Sequence, residues 1–185
     1  MKERPIQHTA RGELAKYTYD VFISYAHADD SKYMDRFLDD LRQQIRLYAA
    51  SEVRFWQDKH FSVGEDPDTM IPLALRKSAT LLVLVSGKSL SREWVAKEYR
   101  LFKNSMSIEG ANLKKRVFTV LVDTLREGGH VHEDLAELHE SLRDAESIRR
   151  QILLVKLRSD YHDKIEEIGR KIAMTLSKVE FEHDG

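Results

Sequence analysis

The chain has 185 residues, 42% of them hydrophobic and 33% charged, which favours a single globular domain and excludes a disordered tail. Its formal net charge of −1 and its lack of cysteine argue against a general nucleic-acid-binding protein and exclude disulfides, thiolate catalysis and cysteine zinc sites. Because no apolar run approaches the roughly 20 residues that span a bilayer and the amino terminus lacks a signal-peptide pattern, we expect a cytoplasmic protein that binds neither nucleic acid nor membrane.

Five short runs rich in β-branched, aromatic and leucine residues are predicted to be strands. Most are continuously apolar, which is typical of strands buried on both faces of a parallel sheet. In chain order they are residues 19–25, 53–56, 80–85, 117–122 and 153–157. Residues 1–16 are polar and aperiodic, so they are expected to form a loose leader before one domain spanning residues 17–182.

Segments with helical spacing of apolar residues separate these strands. A weaker, highly charged helix is predicted around Leu135, Leu138 and Leu142. Two stronger stripes are Tyr33, Phe37, Leu41, Ile45 and Tyr48, and Tyr161, Ile165, Ile168, Ile172, Leu176 and Val179, with Asp160 as a cap before the second.

Strand and helix therefore alternate along the chain. This pattern predicts an α/β, flavodoxin-like, doubly wound fold, with a five-stranded parallel sheet of order 2-1-3-4-5 and helices on both faces. In such a fold a ligand binds beyond the carboxyl ends of strands one and three. Here those ends are followed by the loops after Tyr25 and Val85.

Several chemistries common on this fold lack their motifs. Residues 86–89, SGKS, resemble the end of a phosphate-binding P-loop, but Leu82 stands where that motif needs its first glycine. No GxGxxG occurs, and no aspartate follows the third strand to accept a phosphoryl group. His130, His132 and His139 lie in charged sequence without a matching carboxylate pattern, so we predict no metal site.

Glu98 is the most informative carboxylate of the chain. It lies in a predicted helix that follows the most apolar strand and is expected to be capped by Ser89 or Ser91. All four of its helical neighbours are apolar: Trp94, Val95, Leu101 and Phe102. Because such a setting disfavours a charged carboxylate, Glu98 is either a functional group facing the predicted crevice or a structural group bonded to a lysine or to backbone amides elsewhere.

Glu93, on the same predicted helix, has a more ordinary setting. Lys97 follows it by four residues, which predicts an exposed i,i+4 ion pair. Glu98 is therefore the acid of this helix that needs an explanation.

Three stretches of the sequence resemble those of TIR (Toll/interleukin-1 receptor) domains. YDVFISYAHADD, residues 19–30, is similar to box 1 of that family. Residues 54–78, RFWQDKHFSVGEDPDTMIPLALRKS, look like its BB loop and the helix after it. Trp94 and Glu98 match the WxxxE motif of the TIR domains that consume NAD. The resemblance covers about residues 17–181.

Members of this family are either non-catalytic adaptors or enzymes that cleave the nicotinamide–ribose bond of NAD+. The retained glutamate favours the enzyme, so the resemblance implies that Glu98 is catalytic and that NAD+ is a substrate, with no cofactor. The substrate-binding residues that it implies are Tyr25, Ala26, His27, Ser62, Ser86 and Trp94. For Trp94 the alternative is plain core packing. The alternative functions are a TIR–TIR adaptor and a nucleoside-processing N-glycosidase.

The BB loop, from Asp58 to Glu65, departs from the receptor-adaptor pattern. Gln57-Asp58 and Val63-Gly64 stand in place of the usual Arg-Asp and Pro-Gly pairs, and Ala26-His27 stands where several family enzymes carry basic residues. The resemblance implies self-association through this loop, whose alternative role is an ordinary exposed connection. It also implies a separate sensor or effector protein as a partner, by analogy with bacterial anti-phage defence.

Overall fold

The computed structural model describes residues 17–26, 32–49, 51–57, 66–86, 89–108, 110, 112–121, 131–136 and 161–181. Within these ranges four parallel strands form one sheet, in the order β2-β1-β3-β4. They are β1 (Tyr19–Ser24), β2 (Phe55–Trp56), β3 (Ser78–Val85) and β4 (Val117–Leu121). The α/β fold and the order of these four strands are as predicted. The predicted fifth strand, the leader and the BB loop lie outside the described residues.

Helices flank the sheet on both faces. They are α1 (Lys32–Tyr48), α2 (Pro67–Arg76), α3 (Glu93–Ile108), the single turn α4 (Leu113–Arg116) and α5 (Tyr161–Phe181). Short 3-10 turns occupy Ser89–Ser91 and Glu133–Leu135. Helix α1 packs against α5, and α2 packs against α3. Because crossovers between parallel strands are right-handed, the reversal of direction after β2 puts α1 and α2 on opposite faces. None of the described helices is long and apolar enough to cross a membrane.

The centre of the sheet is buried from both sides. All eight residues of β3 are buried, and so are the last five of β1. The two strands pair in register from Tyr19 opposite Ser78 to Ser24 opposite Val83. The continuously apolar pattern of these strands therefore corresponds to burial on both faces, and their carboxyl ends are held side by side.

Two strand boundaries differ from the prediction. β2 is shorter and begins at Phe55; just before it, the Arg54 N–H donates to Asp20 Oδ2 at 2.7 Å, and the Arg54 side chain pairs with the same oxygen at 3.2 Å. β3 begins earlier, at Ser78, which pairs with Tyr19 of β1 and whose hydroxyl donates to the Ala74 carbonyl at 2.7 Å.

The two strong helical stripes lie on α1 and α5, which pack against each other. Their buried members are Phe37, Leu41, Ile45, Ile165, Ile168, Ile172, Leu176 and Val179. Tyr48, which we expected in the stripe, is instead 42% exposed at the last turn of α1, where its hydroxyl donates to Glu166 of α5. The weaker third helix is described only around Leu135, which is buried in a 3-10 turn, so Leu138 and Leu142 lie outside the described residues.

Candidate active site

Glu98 lies in the second turn of α3 and is only 3% exposed. Val95 and Phe102 beside it are buried, and Trp94 and Leu101 are partly buried against the same hydrophobic core. The apolar surroundings inferred from helical spacing are therefore present in the fold. A carboxylate in this position loses most of its hydration and depends on protein groups to replace it.

Ser24, the last residue of β1, supplies one such group. Its hydroxyl donates to Glu98 Oε2 across 2.5 Å, and Ser24 is itself 2% exposed. Besides the lysine or backbone amides that the sequence left open as structural partners, the carboxylate thus has a neutral side-chain donor. A hydroxyl that donates to a carboxylate favours the charged form of the acid without cancelling its charge.

The hydrogen bond between Ser24 and Glu98 lies at the carboxyl end of β1, an inner strand of the sheet. β1 has β2 on one side and β3 on the other. The chain leaves β1 through α1 toward β2 and crosses through α2 to β3, so the winding reverses between β1 and β3. Ser24 lies at the carboxyl end of β1 beside Val83. The Glu98 carboxylate therefore sits at the topological switch point, where open α/β sheets bind their ligands.

Ser86 follows β3 at the same edge and is fully buried. Its N–H donates to Ser89 Oγ at 2.7 Å, and the Ser89 N–H donates to Ser86 Oγ at 2.9 Å. Ser89, one of the two serines expected to cap α3, thus closes the turn after β3 instead; α3 begins at Glu93, so Ser91, the other, does not directly precede it either. This reciprocal pair fixes the spacing between the end of β3 and the helix that carries Glu98.

Trp94 lies at the contact between α2 and α3. Lys97 places its ammonium 4.6 Å from the centroid of the Trp94 ring and forms a 2.8 Å ion pair with Asp68 of α2. The predicted pairing of Lys97 with Glu93 is therefore corrected, because the docking of α2 on α3 brings Asp68 to Lys97. The indole packs partly against the core.

Tyr25 is buried, at 3% exposure, and its hydroxyl is hydrogen-bonded to Gln57. Gln57, which follows β2, donates from Nε2 to the Tyr25 hydroxyl at 3.3 Å, and Arg42 of α1 donates to Gln57 Oε1 at 2.5 Å. Successive residues of an extended chain point to opposite faces, so Ser24 faces α3 while Tyr25 faces α1.

The remaining residues implied by the resemblance divide into two groups. Ala26 is described and buried at 5% exposure, next to Tyr25 at the carboxyl end of β1. His27 and Ser62 lie outside the described residues. In the part of the chain that the structure describes, no three or more histidine, aspartate or glutamate side chains converge as they would around a metal ion.

Ser24 is the residue that sequence reasoning missed. The sequence feature that pointed to it was a hydroxyl side chain between Ile23 and Tyr25, near the end of a strand predicted to be buried on both faces. A buried hydroxyl needs a hydrogen-bond partner, so its presence there indicated a polar group nearby. The sequence did not indicate which group, since Glu98 lies 74 residues away.

The chain belongs to the TIR domain family, whose sequence model matches residues 21–168. That span contains both Ser24 and Glu98. The family includes NAD-cleaving enzymes and non-catalytic adaptors. No curated protein sequence matches the chain at a significant level.

Several solved structures are similar in fold. The TIR domains of the activated Roq1 resistosome, which directly recognises the pathogen effector XopQ, are 14% identical, with 89% of this chain and 99% of that chain covered and a TM-score of 0.47. A flavodoxin-like domain from Synechococcus sp. is 16% identical, with coverages of 86% and 99% and a TM-score of 0.48. A diflavin flavoprotein A3 from Nostoc sp. is 14% identical, with coverages of 90% and 98% and a TM-score of 0.44.

Proposed function

We propose that this TIR domain is an NAD+ nucleosidase of the bacterial type, in which Glu98 is the catalytic residue. The observation that carries the proposal is the buried Glu98 carboxylate, hydrogen-bonded to Ser24 at the switch point of the sheet. Membership of a family that includes NAD-cleaving enzymes supplies the reaction class. An adaptor that only binds other domains has little reason to keep a carboxylate in such a costly position.

The chemistry of NAD+ suits a site built around one carboxylate. When the bond between ribose C1′ and nicotinamide breaks, its electron pair passes to the pyridinium nitrogen, and nicotinamide leaves as a neutral molecule. No general acid is needed, in contrast to ordinary glycoside hydrolysis. The charge that develops is positive and lies on the ribose. A preorganised anionic group beside it stabilises the transition state, more strongly where water is excluded.

The product depends on which nucleophile attacks ribose C1′ after nicotinamide leaves. Addition of water, with loss of a proton to solvent, gives ADP-ribose. Attack by a nucleophilic atom of the substrate itself gives a cyclic ADP-ribose isomer. In this proposal Trp94 shapes the pocket, and Tyr25, Ala26, His27, Ser62 and Ser86 line it. The role is signalling in bacterial anti-phage immunity, in the cytoplasm and with a separate sensor or effector protein.

The test is chromatography of NAD+ incubated with concentrated protein, beside the Glu98→Gln variant. We expect the wild type to release nicotinamide and Glu98→Gln to lose at least 100-fold of the rate, on the order of the effect of removing one electrostatic catalytic group. Glutamine keeps the size of the side chain and removes its charge. The accompanying product peak distinguishes hydrolysis from cyclisation.

Glu93→Gln is the matched control, because Glu93 lies on the same helix but is exposed. It should keep wild-type turnover. Equal activity in wild type and Glu98→Gln would refute the assignment of Glu98. Absence of nicotinamide release at every concentration, with intact folding and TIR–TIR binding, would favour the adaptor.

A further inference from the structure

Buried hydroxyls in the central strands have different kinds of partner. Ser78 donates to the backbone carbonyl of Ala74, and Thr80 donates to that of Asp20, both at 2.7 Å. These two bonds tie the strands to neighbouring backbone. Ser24 instead donates to the side-chain carboxylate of Glu98, on a helix from a different part of the chain. Its partner is thus the group proposed to act on the substrate.

We propose that Ser24 is the positioning residue of Glu98: its hydroxyl keeps the carboxylate charged and holds Oε2, which gives the second oxygen, Oε1, a defined direction. This inference rests on the proposed function. Ser24 itself does not touch the substrate; it acts through Glu98.

The geometry suits this role. Ser24 Oγ and Glu98 Oε2 are within hydrogen-bond distance, and a hydroxyl that donates to an ionised carboxylate forms a stronger hydrogen bond than one between neutral groups. Both side chains are nearly inaccessible, so water does not compete for the bond. Ser24 belongs to a strand that is paired on both sides, and a rigid supporting group holds a catalytic side chain more accurately than a loop does.

Three charged side chains on the elements that carry this bond have ion-pair partners of their own. On α3, Lys97 pairs with Asp68 of α2, and Arg100 pairs with Asp134 at 3.1 Å. On β1, Asp20 pairs with Arg54 at the other end of the strand. β3 carries no charged side chain. The Ser24 hydroxyl is itself uncharged, so Ser24→Ala removes one donor to Glu98 without changing the net charge of the site.

The experiment measures nicotinamide release against pH for wild type, Ser24→Ala, Ser24→Thr and Ser24→Cys. Without its donor, the carboxylate takes up a proton more readily. We expect the acid limb of kcat for Ser24→Ala to move up by about one pH unit, so that turnover on that limb falls about tenfold. Ser24→Thr keeps the hydroxyl and should restore the wild-type limb, while the weaker donor of Ser24→Cys should give an intermediate position.

Ser78→Ala is the matched control: it removes another buried strand hydroxyl, and its pH profile should stay that of the wild type. Folding of each variant is checked by circular dichroism and thermal unfolding. If Ser24→Ala does not fold, the acid limbs of Ser24→Cys and Ser24→Thr are compared instead, and a higher-lying limb in Ser24→Cys supports the inference. An unmoved acid limb in an active Ser24→Ala, or in Ser24→Cys, would overturn the inference while leaving the proposed function intact. Wild-type protein that releases no nicotinamide would refute the proposed function first.

Discussion

Tyr161, the first residue of α5, donates its hydroxyl to Asp40 of α1 at 3.0 Å. Partial burial of the phenol, then the hydrogen bond to Asp40 and the negative charge of Asp40, raise the pKa of Tyr161 well above its usual 10.0, against a smaller lowering by Arg36. The folded protein therefore holds this proton more tightly than the unfolded chain does. Tyr161 stabilises the fold fully below about pH 10, and this contribution is lost as the pH rises further.

Replacing Tyr161 by phenylalanine should consequently change the alkaline stability. We expect the free energy of unfolding of Tyr161→Phe to be lower near neutral pH, by about 1 kcal/mol for the lost hydrogen bond. Above about pH 10 it should fall less steeply than that of the wild type, because the titrating group is gone. Urea unfolding at a series of pH values measures both effects. Parallel curves for the two proteins across the alkaline range would contradict this account.

The predictability of single residues differs between Glu98 and Ser24. The surroundings of Glu98 were predictable because helical spacing fixes which side chains lie three and four positions away. The bond of Glu98 to Ser24 was not, because it joins two elements far apart in the chain and depends on how α3 docks on the sheet. Lys97 shows the same limit, since Asp68 of α2 displaced the local partner expected from the sequence.

At the scale of elements, α5 lies close against α1 at Gly169. A Cβ atom built there would lie 2.6 Å from the Cβ of Gln44 and 3.1 Å from the backbone nitrogen of Ile45, both on α1. Such distances are too short for real contacts, so any side chain forces the helices apart. Glycine is less favourable than alanine in a helix, which indicates that packing decides this position.

Gly169→Ala should therefore destabilise the domain despite its better helix propensity. We expect a loss of about 1–3 kcal/mol in the free energy of unfolding, the usual cost of overpacking. Urea unfolding measures it, and Met174→Ala, at a site 55% exposed on the same helix, is the control and should change stability by less than about 0.5 kcal/mol. A more stable Gly169→Ala would mean that the helices separate freely at this point.

Element types were easier to predict from the sequence than element ends. Continuous apolar runs and helical stripes depend on burial, which acts over a whole segment. Just before β2, the side chain of Asp20 accepts a hydrogen bond from the Arg54 backbone. Between β3 and α3, the hydroxyls of Ser86 and Ser89 each accept from the other's backbone N–H. Such local competition for backbone groups is not visible in a hydrophobic pattern.

For the whole molecule, the alternation of strands and helices determined the order of the four described strands, and that order placed the site at the carboxyl ends of β1 and β3. What the fold does not determine is assembly. The helix that follows the BB loop, α2, begins with Asp66 as its cap and is tied to α3 by the ion pair of Asp68 with Lys97. The residues just after the loop are therefore attached to the helix that carries Glu98.

Self-association through residues 58–65 should consequently raise activity. We expect nicotinamide release per molecule to increase with protein concentration below the dissociation constant of the assembly and to level off above it, as mass action requires. The double variant Asp58→Lys with Glu65→Lys should shift this rise to higher concentration and lower the mass measured by light scattering, because charge reversal in a contact opposes docking. Asp163→Lys with Glu167→Lys makes the same change of charge on α5 and should leave both curves unchanged. If nicotinamide release per molecule does not change with protein concentration and the mass stays that of a monomer, the loop is an ordinary exposed connection and Glu98 acts within a single chain.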